Sequence, residues 1–166
     1  IHGKEISYNN LLDINAAVSL IAEFDELTFA ILKHNNACGL ASRPVLVDAW
    51  KAALAGDPVS AFGGVLITNG KIDKATAEEM NNLFFEVVIA PGYDADALEI
   101  LEQKKNRIIL VLKENKTKSL QFRSLLNGVL MQERDLHCEK PEELTQVTKK
   151  SVTPEEVEDL LFAHKI

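Results

Sequence analysis

Short apolar runs alternate with helical segments along most of this chain, and this alternation limits the folds open to it. Four runs predict strands because they are continuous and too short for helices: residues 28–32, 65–68, 86–90 and 107–112. Helical spacing or helix-start signals occupy residues 11–22, 44–54, 73–85 and 94–104. Asn9 or Asn10 is the predicted N-cap of the first helix. Such alternation favours an α/β layered fold with a mainly parallel sheet.

The last third of the chain follows a different pattern. Residues 114–118 are polar and predict a loop, and Asn127-Gly128 predicts a hairpin between two short strands within residues 121–134. A short helix is expected from Lys140, and Thr153-Pro154 followed by two acids predicts the start of a longer helix. The length suits one domain, so we predict a single domain over residues 1–166. Because the chain begins with Ile rather than Met, we expect a fragment of a longer protein.

Charge and cysteine content argue against several classes of protein. The net charge of −7 disfavours a nucleic-acid surface, since phosphate backbones require clustered lysine and arginine. No apolar stretch approaches the roughly 20 residues that span a bilayer, and no secretion signal is recognisable. The two cysteines, Cys38 and Cys138, form no disulfide framework. We therefore expect a cytoplasmic protein with reduced thiols that has neither a membrane nor a nucleic acid as its partner.

A lysine and a histidine stand side by side where the first predicted strand ends. In open α/β sheets, ligands bind beyond the carboxyl ends of strands, and this rule selects the polar turn over residues 33–39. The His34 imidazole titrates near neutral pH and suits proton transfer, while Lys33 can stabilise developing negative charge. The alternative is that both side chains are simply solvated at a strand end.

Two further positions could take part in a site. The turn over residues 60–64 ends in two glycines, which permit close backbone approach and could present N–H groups to an anion. Glu86 lies at the start of an apolar strand, where its carboxylate could accept hydrogen bonds from a polar substrate. The alternatives are a plain tight turn and an acid that faces water.

Metal chemistry has little support in the sequence. His137-Cys138-Glu139 matches only the His-x-Glu half of a zinc deaminase signature, and the Pro-Cys-x-x-Cys half is absent. A third ligand would have to come from Cys38, far upstream, and a fourth is lacking. His2 and His164 are read as surface residues and Trp50 as a core residue. We expect no metal.

Six segments together resemble a known family. Lys33-His34-x-Asn36-x-Cys38-Gly39 resembles the Lys-His-x-Asn-Pro-Cys-Gly motif of AICAR transformylase, the formyltransferase domain of the bifunctional purine-biosynthesis enzyme that also carries IMP cyclohydrolase activity. Five further segments match in the family's order: Tyr8-Asn9-Asn10-Leu11-Leu12-Asp13, Asp57-Pro58-Val59-Ser60-Ala61-Phe62-Gly63-Gly64, Val88-Ile89-Ala90-Pro91-Gly92-Tyr93, Phe122-Arg123-Ser124 and Glu158-Asp159-Leu160-Leu161-Phe162-Ala163.

The resemblance implies a reaction and a set of residues. A formyl group moves from 10-formyltetrahydrofolate, the co-substrate, to the 5-amino group of AICAR. In the family the motif histidine takes the amine proton and the motif lysine supports the transition state, which assigns these roles to His34 and Lys33. The substrate-binding positions that it implies are Gly63, Glu86, Phe62, Ser60, Asn10 and Asn36.

The resemblance also implies a fold and an assembly. The family fold is cytidine-deaminase-like, a three-layer α-β-α arrangement with a mixed, mainly parallel sheet and no catalytic zinc, and this chain resembles the first of two tandem copies. Family active sites use both copies and form at a homodimer interface. The family's Arg-Tyr phosphate-binding segment also falls outside this chain. Ala37 departs from the motif by replacing its proline, and we expect this to loosen the turn.

Three readings of function follow, of which the third is a zinc deaminase that metal analysis would exclude. The first is a fragment of a formyltransferase, inactive by itself because parts of the site lie elsewhere. The second is a non-catalytic nucleotide-binding or assembly module on the same fold, for which Ala37 is the only support in the sequence. We also expect the isolated chain to self-associate through apolar surface that the second copy would cover.

Overall fold

The structure, a computed structural model, describes residues 2–113 and 119–166. The chain divides into two compact units, Ile1–Lys113 and Glu114–Ile166, and each is described by itself. The single domain expected over residues 1–166 stays a prediction. The loop predicted at 114–118 lies outside the described residues.

The first unit is built on a five-stranded mixed sheet. Its strand order is β2-β1-β3-β4-β5, with β1 antiparallel to both of its neighbours and the pairs β3–β4 and β4–β5 parallel. Four strands therefore run in one direction and β1 in the other, which confirms the mixed, mainly parallel α/β sheet. The elements are α1 (Tyr8–Ile21), β1 (Thr28–Lys33), β2 (Asn36–Ser42), α2 (Leu46–Gly56), β3 (Gly64–Thr68), α3 (Lys74–Met80), β4 (Phe85–Ala90), α4 (Ala95–Leu101) and β5 (Ile108–Val111).

Helices cover both faces of this sheet. On one face Ala17 and Ile21 of α1 pack against the apolar side chains of β1, β3 and β4. On the other face α2, α3 and α4 form a larger core, in which the Phe29 and Trp50 rings meet edge to face with centroids 5.1 Å apart. Trp50 is 1% exposed, which confirms it as a core residue. The result is the expected three-layer α-β-α arrangement.

The structure corrects two predicted element boundaries near the amino terminus. The polar turn predicted over residues 33–39 contains only His34 and Asn35, because β2 begins at Asn36 and returns antiparallel to β1. This edge strand has small, half-buried residues and no apolar run, so its sequence carries no strand signal. The N-cap of α1 is Ser7 rather than Asn9 or Asn10, since the Ser7 Oγ accepts the Asn10 N–H at 3.1 Å.

Helices α3 and α4 are shorter than predicted. They end at Met80 and Leu101, before the limits of residues 85 and 104 that the helical spacing indicated. A buried arginine joins their ends: Arg107 Nη1 donates to Asn81 Oδ1 and to the Leu101 carbonyl, each at 3.1 Å. Because these acceptors lie just after α3 and in the last turn of α4, the guanidinium stabilises both carboxyl termini.

The second unit contains a hairpin, a 3-10 turn and a helix. Strands β6 (Leu120–Leu125) and β7 (Gly128–Glu133) pair antiparallel, which confirms the predicted hairpin. Its two turn residues are Leu126 and Asn127 rather than Asn127 and Gly128, because Gly128 already pairs with Leu125. The short helix appears as a 3-10 turn over Pro141–Glu143. Helix α5 (Pro154–His164) begins at the predicted N-cap, Thr153, with a capping box to Glu156.

Many apolar side chains of the hairpin are exposed, among them Phe122, Leu126, Val129, Leu130 and Met131. Self-association of the chain stays a prediction.

Among the helices of the described residues, none has the length and apolar character needed to cross a membrane.

Gly39 offers a test of how closely α2 packs on β2. A Cβ at this position would lie 2.0 Å from the Ala53 carbonyl oxygen, a backbone atom that cannot move without shifting the helix. We expect Gly39→Ala to lower the free energy of unfolding by about 3 kcal/mol, in the upper range of overpacking costs. Urea denaturation measures this loss.

The matched control is Gly92→Ala, whose new Cβ would meet only the flexible Lys71 side chain at 3.5 Å. It should change the free energy of unfolding by less than about 0.5 kcal/mol. Equal stability of both variants would show that α2 and β2 are not packed as described.

Candidate functional site

A cavity of about 640 Å³ opens at one end of the sheet in the first unit. Its walls come from the amino-terminal half of α1, the turn after β1, the loop before β3 and the first residues of β4. Polar side chains on three of these walls face one space. The lining includes Ser7, Asn10, Asp13, Lys33, His34, Asn35, Phe62, Gly63 and Glu86.

Strand direction explains why these segments meet. Lys33 is the last residue of β1, whereas Gly64 and Phe85 are the first residues of β3 and β4. Because β1 runs antiparallel to β3, its carboxyl end lies beside the amino ends of β3 and β4. The rule that ligands bind at the carboxyl ends of strands therefore correctly selects the turn after β1. It does not describe the parallel strands, whose amino ends form the rest of the cavity.

The turn that carries His34 has an uncommon backbone conformation. His34 and Asn35 have φ angles of +52° and +65°, as the type I′ turn of a two-residue hairpin requires. Neither residue is glycine, although histidine and asparagine tolerate the left-handed region better than most residues. Two hydrogen bonds support the turn: Asn35 N–H donates to Asp13 Oδ1 at 2.8 Å, and Asn36 Nδ2 donates to the His34 carbonyl at 2.9 Å.

The Lys33 ammonium is held by a backbone carbonyl of the opposite loop. Its Nζ donates to the Phe62 carbonyl at 2.8 Å. The following residue, Gly63, has a φ of +74°, and its N–H donates to the Phe84 carbonyl at 2.8 Å. A left-handed glycine at this point lets the chain reverse and present the Phe62 carbonyl to the lysine. The ammonium has three donors, and this hydrogen bond uses one of them.

Asp57 organises the loop that leads to Gly63. Its Oδ1 accepts the Val59 and Ser60 N–H groups at 3.1 and 2.9 Å, and its Oδ2 accepts the Ser60 hydroxyl at 2.6 Å. These hydrogen bonds, above all that from the Ser60 hydroxyl, lower the pKa of the Asp57 carboxyl. Ser60 thus serves the loop and is not among the residues that line the cavity.

The suggestion that the amides of residues 60–64 bind an anion is wrong. Each of these five N–H groups already has an acceptor within the protein: the Asp57 carboxylate for Ser60, and backbone carbonyls for the other four. What the two glycines provide is a close approach of chains. A Cβ at Gly64 would lie 2.8 Å from the Leu32 carbonyl oxygen.

Glu86 faces Asn10 across the cavity. Its Oε2 accepts hydrogen bonds from Asn10 Nδ2 and from Lys4 Nζ, each at 3.3 Å. Asn10 is 8% exposed and its Oδ1 accepts from the Ser7 hydroxyl at 2.9 Å, so the capping group of α1 also fixes the amide. The carboxylate is therefore partnered on one oxygen rather than free in water.

The structure brings together six of the eight residues predicted from the sequence. Asn10, Lys33, His34, Phe62, Gly63 and Glu86 line the cavity. Asn36 and Ser60 support the turns behind it. Asp13 and Ser7 were missed, although Asp13 follows Asn10 by three residues and so shares its helix face, a spacing that could have identified it.

Ala37 does not belong to the turn that aims His34. It lies in β2, paired with Leu32, next to an irregularity in the strand register. The two left-handed turn residues come before it, so Ala37 is not itself a turn residue. The expectation that it loosens the turn stays a prediction. Cys38 behind it is half-buried, and burial raises the pKa of its thiol.

Two histidines of the second unit lie within hydrogen-bond distance of glutamates. His137 Nε2 lies 3.3 Å from Glu143 Oε2, and His164 Nε2 lies 2.6 Å from Glu139 Oε2. Within residues 2–113 and 119–166, no group of three or more histidine, cysteine or acidic residues is arranged to hold a metal ion.

Comparison with known proteins identifies consistent relatives. Residues 1–166 match the family described as AICARFT/IMPCHase bienzyme. The chain is 74% identical over 166 residues to the bifunctional purine biosynthesis protein PurH of Bacteroides thetaiotaomicron, a match that covers 100% of this chain and 33% of that protein. The PurH proteins of Chlorobium luteolum and Caldicellulosiruptor saccharolyticus are 46% and 45% identical over all of this chain and 32% and 33% of their own lengths. The chain thus spans about a third of these curated relatives.

The lowered pKa of Asp57 predicts a pH dependence of stability. In the unfolded chain this carboxyl titrates near its ordinary value, about 3.9, and in the folded chain it titrates lower. Its contribution is therefore complete at neutral pH and is lost as the pH falls below about 4 through the folded pKa. We expect the melting temperatures of the wild-type chain and Asp57→Ala to differ at pH 7 and to converge in acid. A difference that stays constant from pH 7 to pH 3 would contradict this assignment.

Proposed function

The chain belongs to the AICARFT/IMPCHase bienzyme family, and we propose that its cavity is one part of a formyltransferase site. The proposed reaction transfers a formyl group from 10-formyltetrahydrofolate to the 5-amino group of AICAR, a step of purine biosynthesis that leads to IMP. The observation that carries this proposal is the placement of Lys33 and His34, adjacent in sequence and both on the wall of one cavity with Glu86.

The chemistry requires a base and a cation at the same point. The amine of AICAR is a weak nucleophile because its lone pair is conjugated into the ring. As its nitrogen attacks the formyl carbon, it must lose a proton, and the carbonyl oxygen gains negative charge. Within the described residues no protein hydrogen bond occupies the His34 imidazole, which leaves it able to accept the proton. Lys33 supplies the cation for the oxygen.

Collapse of the intermediate completes the proposed transfer. The bond between the formyl carbon and the folate nitrogen breaks, the oxygen charge returns to a carbonyl, and the leaving nitrogen takes up a proton. His34 is then positioned to return the proton that it accepted. Lys33 is a suitable partner for the transient oxyanion because the Phe62 carbonyl fixes its Nζ at 2.8 Å and so reduces the reorganisation needed.

The remaining cavity residues suit recognition of a polar, planar substrate. Asn10 and Glu86 present an amide and a carboxylate to ring substituents or hydroxyl groups. Phe62 is 59% exposed and its ring packs on that of Phe84 at a centroid distance of 5.1 Å, which offers an aromatic face at the cavity edge. Ser60 and Asn36 act indirectly by holding the loop and the turn.

We propose that this site is completed by residues outside the chain. AICAR carries a phosphate and the folate carries carboxylates, yet Lys33 is the only cation among the residues that line the described cavity. The net charge of −7 adds no general attraction for two anions. The isolated chain is therefore expected to be inactive, and the whole protein is expected to place further contacts here, in keeping with a homodimer.

The test replaces the matching third of the Bacteroides thetaiotaomicron relative with this chain, a graft that 74% identity makes compatible. We expect this chimera to transfer formyl groups to AICAR and the isolated chain not to. His34→Ala in the chimera should lower kcat by a factor of about 10² to 10⁴, the usual contribution of a general base. Steady-state kinetics with both substrates measures this.

His2→Ala is the matched control, because it removes an imidazole that does not line the cavity. It should leave kcat within about twofold of the unsubstituted chimera. An inactive chimera that still binds AICAR would favour the non-catalytic nucleotide-binding module. An active His34→Ala variant would remove the histidine from the proposed chemistry, and an active isolated chain would show that the site is complete.

A further inference from the structure

We infer that Asp13 is a positioning residue, which holds the His34–Asn35 turn so that the imidazole faces the substrate. This inference rests on the proposed function, since it concerns the delivery of the proposed base. Asp13 lies on α1, some twenty residues before the turn, and the two meet only in the folded structure.

The turn needs support from outside its own sequence. Both of its residues occupy the left-handed region, His34 at φ +52° and Asn35 at φ +65°. Glycine is the residue that stabilises this conformation in two-residue hairpins, and the turn has none. The strand pairs on either side set its register but leave the second turn residue without a ladder hydrogen bond.

Asp13 accepts a hydrogen bond from the N–H of this second turn residue, Asn35. Its Oδ1 accepts the Asn35 N–H at 2.8 Å, the distance of a hydrogen bond to a charged acceptor, which is stronger than one between neutral groups. A water molecule could also accept from this N–H, but it could not fix the turn relative to the sheet.

Helix α1 makes this acceptor rigid. One turn after Asp13, the side chain of Ala17 is fully buried against the sheet, and Ile21 is 3% exposed. At the other end of the helix, the Ser7 capping box fixes the first turn. The carboxylate is therefore attached to a helix that is packed at one end and capped at the other. Through its hydrogen bond to this carboxylate, the turn is held in a fixed position.

The test compares three substitutions in the chimera. Asp13→Ala should lower kcat about tenfold, with the KM for AICAR changed less than about twofold, because the base is misplaced while the binding groups remain. Asp13→Asn keeps an acceptor oxygen and should stay within about threefold of the unsubstituted kcat. Adding Asn35→Gly to Asp13→Ala should recover most of the lost kcat, since glycine stabilises the left-handed turn without Asp13.

Asn15→Ala is the control for helix effects, because Asn15 is exposed on α1 and does not line the cavity. It should leave kcat unchanged. A large rise in KM for Asp13→Ala would overturn the inference and indicate that the carboxylate binds substrate directly. A full loss in Asp13→Asn, or failure of Asn35→Gly to restore kcat, would also overturn it.

A second measurement is independent of catalysis. In the isolated chain, nuclear magnetic resonance can follow solvent exchange of the Asn35 amide. Asp13→Ala should speed this exchange at least tenfold, while Asp13→Asn and Asn15→Ala should change it little. An unchanged rate in Asp13→Ala would overturn the inference even if the chimera is active. A chimera without formyl transfer would refute the proposed function, and the exchange rates would still decide whether Asp13 holds the turn.

Discussion

The antiparallel insertion of β1 between β2 and β3 is the constraint on which the rest of the cavity depends. Had β1 run parallel to its neighbours, Lys33 would lie at the opposite end of the sheet from Gly64 and Phe85, the first residues of β3 and β4. Its reversal brings a basic turn beside a glycine-rich loop and an acid. The amino-terminal half of α1 then closes the third wall.

Short contacts between distant segments hold this cavity in shape. Phe62 presents its carbonyl to Lys33, and Asp13 accepts from the turn that carries His34. Asp57 accepts three hydrogen bonds from its own loop. The Lys33 ammonium and the backbone of the His34 turn are thus oriented before a ligand arrives, which is the condition for electrostatic stabilisation of a transition state.

Family membership and geometry support the proposed function in different ways. The family match over residues 1–166 supports the kind of reaction, while the cavity supports specific roles for Lys33 and His34. Neither extends to the whole protein, because the chain spans about a third of its relatives. The sparse positive charge of the cavity fits a site to which other segments contribute.

The sequence by itself determined the elements with strong local signals: the apolar strands β1, β3, β4 and β5, the Thr153 cap of α5, and the hairpin around Asn127. It also identified six lining residues, because a motif keeps neighbours such as Lys33 and His34 together. Strand β2 was not predicted from the sequence, since an edge strand of mostly small, half-buried residues shows no alternation of apolar and polar residues. Only the tertiary structure decided that Asp13 meets Asn35, that Asn36 and Ser60 support loops rather than line the cavity, and that the amides of residues 60–64 are already bonded. The physical reason is that local sequence encodes backbone preference and burial period, whereas the direction of β1, and therefore which loops meet, follows from how the whole sheet pairs.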